Sequence, residues 1–376
     1  MALNAVSGLA HLAQFGLLYP VFALWLDARG MPTWQVGLVG SAAWAGMLVG
    51  NLFAPRWMQR IGAPALAALA CLGTAAAAGL GPLIPAQAFG PWLAVAALLG
   101  VCVGLRWISV ESWLYAIAEG ARRGRLVGIH ETVIHAAQAA GPALLALLGV
   151  LSPASFHAGA GFALLAGACL LAAPVRAPRS ETREGTAPLA VLAGLARDAR
   201  HRLGIQLGLL SGLVDGVLFG MLAVYLVKRG FSASQAALAM TVFGIGGRVL
   251  QMPLGWLSDR RGVISATRAS ALLGVAGALL LLPGDASLAW LAAGLLGAAS
   301  GGALTVAIIA GTEGAVRDGH DMAVAVTQVS LAFTLGSTVG PALTGALMDA
   351  VGPAALPVLG LLACAALMLP GRARRS

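Results

Sequence analysis

The sequence predicts an all-α membrane protein of twelve transmembrane helices, arranged as two six-helix repeats. Three observations carry that expectation. The 376 residues are 59% hydrophobic and only 10% charged, with a mean hydropathy of +0.88, a composition that belongs to a chain with the bilayer as its solvent. Apolar runs of about 20 residues, enough to cross a roughly 30 Å hydrocarbon layer as helices, recur along the whole length between short loops containing Gly, Pro and Arg. Features of the first half also return in the second at an offset near 200 residues.

The apolar runs fall at 4–26, 35–54, 63–83, 92–117, 125–151, 156–175, 203–227, 235–254, 263–283, 287–311, 320–348 and 353–370. The first lacks a basic leading segment, carries His11 and Gln14, and outruns the apolar part of a signal peptide, so it is read as a retained helix 1. The only polar stretch long enough to be a linker, 176–202, separates six helices from six. The expected organisation is an N-terminal bundle over 1–175, a cytoplasmic linker over 176–202 and a C-terminal bundle over 203–376. Within the linker, APLAVLAGLARDARHR reads equally as a short amphipathic helix on the membrane surface or as a solvated tether.

A net charge of +9 would suggest nucleic acid in a soluble protein, but here the positions of the basic residues argue for topology instead. Arg56, Arg60, Arg122, Arg123, Arg125, the 176–202 cluster, Arg260, Arg261, Arg268, Arg317, Arg372, Arg374 and Arg375 all lie on even-numbered loops or the C-terminal tail. The odd-numbered loops hold only Arg29, Lys228 and Arg229. By the positive-inside rule both termini and the linker are cytoplasmic, as expected for a multi-pass protein of the bacterial inner membrane. No nucleic-acid partner is expected.

The repeat is legible in several places. LDARGMPTWQ from Leu26 aligns with LVKRGFSASQ from Leu226, GPALLALL at Gly141 with GPALTGAL at Gly340, and AEGARRG at Ala118 with TEGAVRDG at Thr312. Because each half has an even number of helices, the copies face the same way. They are expected to be related by a pseudo-two-fold axis along the membrane normal, with a cavity between them.

With these residues in place the chain resembles the major facilitator superfamily of secondary transporters over essentially its full length. The loop GWLSDRRG carries the family's G-x-x-x-D-R-x-G pattern in Gly255, Asp259, Arg260 and Gly262, and helix 11 carries G-x-x-x-G-P in Gly336, Gly340 and Pro341. Helix 5 keeps only Gly141 and Pro142. Trp107 and Glu111-Ser112, followed by RGRL at Arg123, resemble a subgroup of short, largely uncharacterised bacterial members. The family's arginine early in helix 4 has no match in WLAVAALLG; Arg106 lies about ten residues deeper, so that arginine's implied role in proton coupling does not carry over.

Ionisable groups inside a span cost a few kcal/mol each, about 2.5–3.5 on the insertion scale, and are expected to face a cavity or a partner. Helix 4 has Arg106 and Glu111, helix 5 His130, Glu131 and His135, helix 7 Asp215, helix 8 Arg248 and helix 1 His11. Glu131, His135, Gln138 and Pro142 follow i, i+4, i+7, i+11 spacing on one helix face, and the same offsets in the second half give Ser330, Thr334, Ser337 and Pro341. Trp107, Glu111 and Tyr115 share a face of helix 4, so a carboxyl sits between two aromatics.

Glu111, Glu131, Asp215 and His135 are therefore candidates for proton coupling. The structural alternative for Glu131 is a pairing with His135 or a solvated place near the cytoplasmic end, and for Glu111 an ion pair with Arg106 or Arg248. Candidates for substrate contact are Arg106, Trp107, Tyr115, Gln138, Arg248, His11, Gln14, Ser330, Thr334 and Ser337.

Cys71, Cys102, Cys169 and Cys364 lack metal-ligand spacing and read as packing residues; His130 and His135 lie about 140° apart on a helix, so no metal site is expected. No phosphate-binding loop or nucleophile elbow is present, which argues for an ion gradient as energy source, no cofactor and no enzymatic reaction.

The expected activity is proton-coupled export of a small amphipathic compound by a monomer working through alternating access, the Gly-Pro signature being associated in the family with antiporters. The alternatives are proton-linked uptake of a small anionic or neutral metabolite anchored by Arg106 and Arg248, and a non-transporting membrane sensor. The resemblance also implies a cytoplasmic gate: Asp259 meeting the start of helix 5 near Arg125. The first half has Gln59 where that acid would stand, which suggests the reverse pairing of Arg60 with Asp321.

Overall fold

A computed structural model describes residues 2–117, 123–171, 202–317 and 322–369, excepting the side chains of 115, 123–125, 127, 314–317 and 322–324. Among these residues every regular element is helical. In chain order they are α1 Ala2–Asp27, α2 Thr33–Ile61, α3 Ala63–Leu80, α4 Phe89–Ile117, α5 Arg123–Leu148, α6 Pro153–Leu171, α7 Arg202–Lys228, α8 Ala233–Arg261, α9 Val263–Leu281, α10 Ala286–Arg317, α11 Met322–Val351 and α12 Ala355–Ala366.

The first eleven contain windows long and apolar enough to cross a membrane. The twelfth, expected over 353–370, is 12 residues long, because Pro353 and the turn before it delay its start and a turn after Ala366 ends it. Residues 172–201 lie outside the described residues, and with them the amphipathic-helix reading of the linker.

Two helices depart from regular winding. Over Leu12–Leu18, α1 winds as a π-helix, a widening that often marks a functional site. Helix α8 is interrupted at Leu250, where φ is −92° and ψ −5°. Pro253 accounts for the break: it donates no N–H, and its ring crowds the carbonyl four residues back.

The loops keep the repeat in their backbone. After α1 and α7 the chain closes with the same pair of hydrogen bonds, Gly30 N to Asp27 O (3.0 Å) with Met31 N to Leu26 O (3.1 Å), and Gly230 N to Val227 O (2.9 Å) with Phe231 N to Leu226 O (3.0 Å). This closure needs a left-handed residue, and the two glycines supply it with φ of 78° and 92°. Gly62 and Gly262 turn the chain between α2 and α3 and between α8 and α9 in the same way, at 82° and 81°.

The chain divides into two compact units, the first holding α1–α6 and the second α7 and α9–α12, with Ser232–Thr241 of α8 grouped with the first and the rest of α8 with the second. In the first unit α1 packs on α5 and α6, α2 on α4, and α3 on α4 and α6. In the second, α7 packs on α11 and α12, and α9 on α10 and α12, while Gly246 and Gly247 of α8 lie against Gly294 and Gly297 of α10. Each unit thus repeats one packing plan. Glycine-lined contacts let the backbones approach closely, which suits helices whose association cannot draw on burial from water.

Candidate functional site

Several polar side chains of the first half, His11, Gln14, Arg106 and Glu111 among them, come together where α1 meets α4 and α5. The widened turn of α1 presents His11, Gln14 and Phe15, all buried. Arg106 of α4, 1% exposed, donates Nε–H to Gln14 Oε1 at 3.0 Å. Gln14 in turn donates Nε2–H to Thr74 Oγ1 of α3 at 2.9 Å, and Thr74 donates to Ala70 O at 2.9 Å. Every donor in this chain of bonds meets an acceptor, so Gln14 ties three helices together from within the bundle.

Arg106 also lies 3.5 Å from His11 Nδ1 through Nη2. That nitrogen is 2.9 Å from Ser7 O, a carbonyl that only accepts, so Nδ1 carries the proton and offers nothing to the guanidinium. Among the described residues no carboxylate lies within ion-pair distance of Arg106. The other ring nitrogen of His11, Nε2, is buried without a hydrogen-bond partner.

Aromatic rings surround this pair. His11 lies 5.1 Å from Trp107 and 5.6 Å from Phe15, ring centre to ring centre; Phe15 lies 6.1 Å from Trp44 and 5.1 Å from Tyr19. Phe15 and Trp44 are buried, whereas Trp107 is half-buried.

One turn further along α4, Glu111 meets His130 of α5, with Oε1 and Nε2 3.1 Å apart; the two side chains are 14% and 1% exposed. Nδ1 of the same imidazole lies 3.1 Å from Oδ1 of Asn4 on α1. The imidazole thus joins the Glu111 carboxyl of α4 to the Asn4 amide of α1, and three helices meet at one protonatable contact.

Glu111 is thus paired with His130, and not with either arginine that the sequence offered. Glu131 and His135 do meet, at 3.6 Å, and are partly exposed at 41% and 21%. In the second unit Asp215 of α7, half-buried, accepts a hydrogen bond from Ser300 of α10 at 2.5 Å. Arg248 donates to Gln251 Oε1 at 3.4 Å, and Gln251 to Thr305 Oγ1 at 2.8 Å. Gln138 is half-buried on α5.

On α11, Thr334 donates to Ser330 O at 2.9 Å and Ser337 to Phe333 O at 3.0 Å, so both hydroxyls spend their protons on their own helix. Ser337 backs onto Gly216 of α7. Asp259 and Arg60 are exposed, and the guanidinium of Arg260 lies 4.0 Å over the Trp256 ring. Asp321 and the side chains of Tyr115 and Arg125 lie outside the described residues. Among those residues no cluster of three metal-ligating side chains occurs.

Asn4, Thr74 and Ser300 were absent from the candidates read from sequence, and His130 was weighed only as a metal ligand. His130 had a signal: it shares a helix face with Ile134 and Gly141, at i+4 and i+11, and all three are buried. The buried face of α5 lies one residue before the polar stripe of Glu131, His135 and Gln138. Small polar residues such as Asn4 carry no such signal, because one hydrogen bond across a helix contact leaves no periodicity.

Twelve apolar helices in two units of like packing define a polytopic, all-helical membrane protein. Residues 5–232 and 205–375 match the family model of the Major Facilitator Superfamily, and the chain belongs to that superfamily. An uncharacterised MFS-type transporter of Enterobacter sp. (strain 638) is 31% identical over 334 residues, covering 89% of this chain and 85% of the relative. Another, from Escherichia fergusonii, is 31% identical over 353 residues, covering 92% and 88%.

Among solved structures, the nucleoside transporter NupG superposes with a TM-score of 0.78 at 12% identity, covering 98% of this chain and 96% of that one. A bacterial homologue of the human lysosomal transporter Spinster, inward-facing and unoccupied, does so with 0.71 at 15%, covering 98% and 92%. At such identities the likeness speaks for the fold alone.

Proposed function

We propose that this chain is a proton-coupled secondary transporter of a small organic solute, working as a monomer by alternating access with both termini in the cytoplasm of a bacterial cell. The observation that carries the reading is the Glu111–His130–Asn4 contact. With Asn4 presenting its oxygen to Nδ1, the contact holds one proton between Nε2 and Oε1, and a contact across α1, α4 and α5 that loss of a proton rearranges has what a coupling site requires. Burial in the bilayer makes the rearrangement large, because an unpaired charge or lone pair there finds no water.

Of the two solute classes weighed from the sequence, Arg106 favours the anionic or neutral one. A buried guanidinium without a carboxylate suits an anionic or neutral polar solute better than a cationic amphiphile. Asp215, tied to Ser300, is a second protonatable group in the other unit. Purified protein in proteoliposomes tests the reading, with a panel of radiolabelled organic acids, amines and neutral metabolites and the pH gradient imposed or collapsed. Flux of at least one compound should follow the gradient; flux indifferent to it for every transported compound contradicts proton coupling.

A further inference from the structure

Two opposite charges stand side by side in the second unit without meeting. Asp215 of α7 accepts one hydrogen bond, from Ser300 of α10 at 2.5 Å, and Arg248 of α8 donates to Gln251, which bonds Thr305 of α10 at 2.8 Å. Gly247 and Gly301 touch backbone to backbone, a Cβ on Gly301 standing 2.5 Å from Gly247 O. Their chain neighbours Arg248 and Ser300 are thereby brought to one level of the α8–α10 contact, and the charge of Arg248 acts on Asp215. Even so, the two form no ion pair, and both are half-buried.

Packing does not call for these charges. The α2–α4 contact of the first unit is built in the same way: Gly100 lies on Ala43 and Gly104 on Met47, as Gly297 lies on Phe243 and Gly301 on Gly247. Matched through these contacts, and through Gly16 and Gly216 on α1 and α7, the counterparts of Asp215, Arg248, Ser300 and Thr305 are Phe15, Leu48, Val103 and Ile108. All four are apolar; only Gln251 answers to a polar residue, Asn51. The first unit assembles without charge at these places, although a charge inside a span is costly and marks a site when the fold does not require it.

We propose that Asp215 and Arg248 together bind a zwitterionic solute, an amino acid or a close relative, with its ammonium on the Asp215 carboxylate beside Ser300 and its carboxylate on Arg248. That this zwitterion is also the cargo rests on the transport reading above, whose neutral polar class it narrows. A carboxylate has room for several donors, and Asp215 uses one, which leaves acceptor capacity for an ammonium. The planar fork of a guanidinium receives a carboxylate through two parallel hydrogen bonds. A zwitterion answers both charges and adds no net charge to the span. A simple anion or cation answers one of them and leaves the other without its counterpart.

Four probes of similar size test the site on the purified full-length protein: norleucine and ε-aminocaproate as zwitterions with adjacent and with distant charges, caproate as the anion and hexylamine as the cation. At neutral pH and matched ionic strength, at least one zwitterion should raise the thermal midpoint by about 2 °C or more at saturation, and caproate and hexylamine should do less. Asp215→Asn keeps a polar group beside Ser300 and removes the charge. It should lose the zwitterion response and shift the preference to caproate, while Arg248→Gln should shift it to hexylamine. A poorly folded variant cannot produce such an exchange of preference.

No response to either zwitterion in the unaltered protein, a response to caproate or hexylamine as large as theirs, or a zwitterion response that survives both substitutions overturns the site. The binding test uses no gradient, so its failure leaves the proton-coupled reading to the flux experiment. A zwitterion that binds through Asp215 and Arg248 should also enter the proteoliposomes; one that binds and is not carried, in protein that carries another compound, overturns its role as cargo.

Discussion

Gly16 of α1 and Gly141 of α5 meet backbone to backbone: a Cβ placed on Gly16 would stand 2.8 Å from Gly141 Cα. Their counterparts Gly216 of α7 and Gly340 of α11 meet in the same way, a Cβ on Gly340 standing 2.5 Å from Gly216 C. This contact holds the π-wound turn of α1 against α5 and so sets where Gln14 and His130 fall. Gly141→Ala should destabilise the first unit by about 1–3 kcal/mol or more, since backbone faces the new methyl group and cannot turn aside. Gly128→Ala, on the same helix with nothing within 4 Å of the new atom, should be neutral or mildly stabilising. Equal thermal midpoints for the two variants would remove the packing argument.

The Asp215–Ser300 bond makes an asymmetric prediction. Ser300→Ala strips a carboxyl group inside a span of its donor and should cost about 1–3 kcal/mol. Adding Asp215→Leu to Ser300→Ala should restore much of that loss, because replacing both partners removes the unsatisfied group. Additive losses in the double-mutant cycle would show that the bond does not couple α7 to α10.

Gln14→Glu places a carboxylate where an amide oxygen now accepts from Arg106 Nε at 3.0 Å. The guanidinium would then have a counter-charge of its own. The expected result is a thermal midpoint at least as high as that of the unaltered protein. A clearly lower midpoint would mean that Arg106 gains nothing from a counter-charge at this position.

Orientation is open to cysteine labelling. Gln87 lies exposed in the loop after α3 and Arg261 exposed at the end of α8. With the four native cysteines replaced, an impermeant maleimide should label Gln87→Cys in intact cells and Arg261→Cys only after permeabilisation. The reverse pattern would invert the topology read from the arginines.

The fold was legible because the signals that specify it are long: apolar runs of bilayer length, and repeated loops such as LDARG and LVKRG whose glycines both turn out left-handed. Pro253 was visible in the sequence, yet the break it makes in α8 at Leu250 was not, since Pro55, Pro142 and Pro341 sit within unbroken helices.

Candidate residues were legible one at a time, and of their pairings only the local one, Glu131 with His135, was. Charge inside a span marks Arg106, Glu111 and His11, but which group each meets depends on helix rotation. That rotation is set at glycine contacts far along the chain. The polar stripe of α5 shows the limit: spacing found Glu131, His135 and Gln138 on one face, while the face turned inward begins one residue earlier, at His130. The π-winding of α1 left no sequence mark at all, and it is what brings Gln14 to Arg106.

The most direct test of the account is the protonation of His130, followed by nitrogen NMR on protein labelled in its histidine rings and assigned with His130→Gln. Nδ1 should remain protonated on the acid side together with the proton shared between Nε2 and Glu111, and one proton should be lost as the pH rises. In Glu111→Gln the Nε2 signal should change while the Nδ1 bond to Asn4 persists. A His130 ring that is neutral throughout, with Nε2 protonated against an ionised Glu111 and Nδ1 bare, would contradict the shared proton and with it the coupling site.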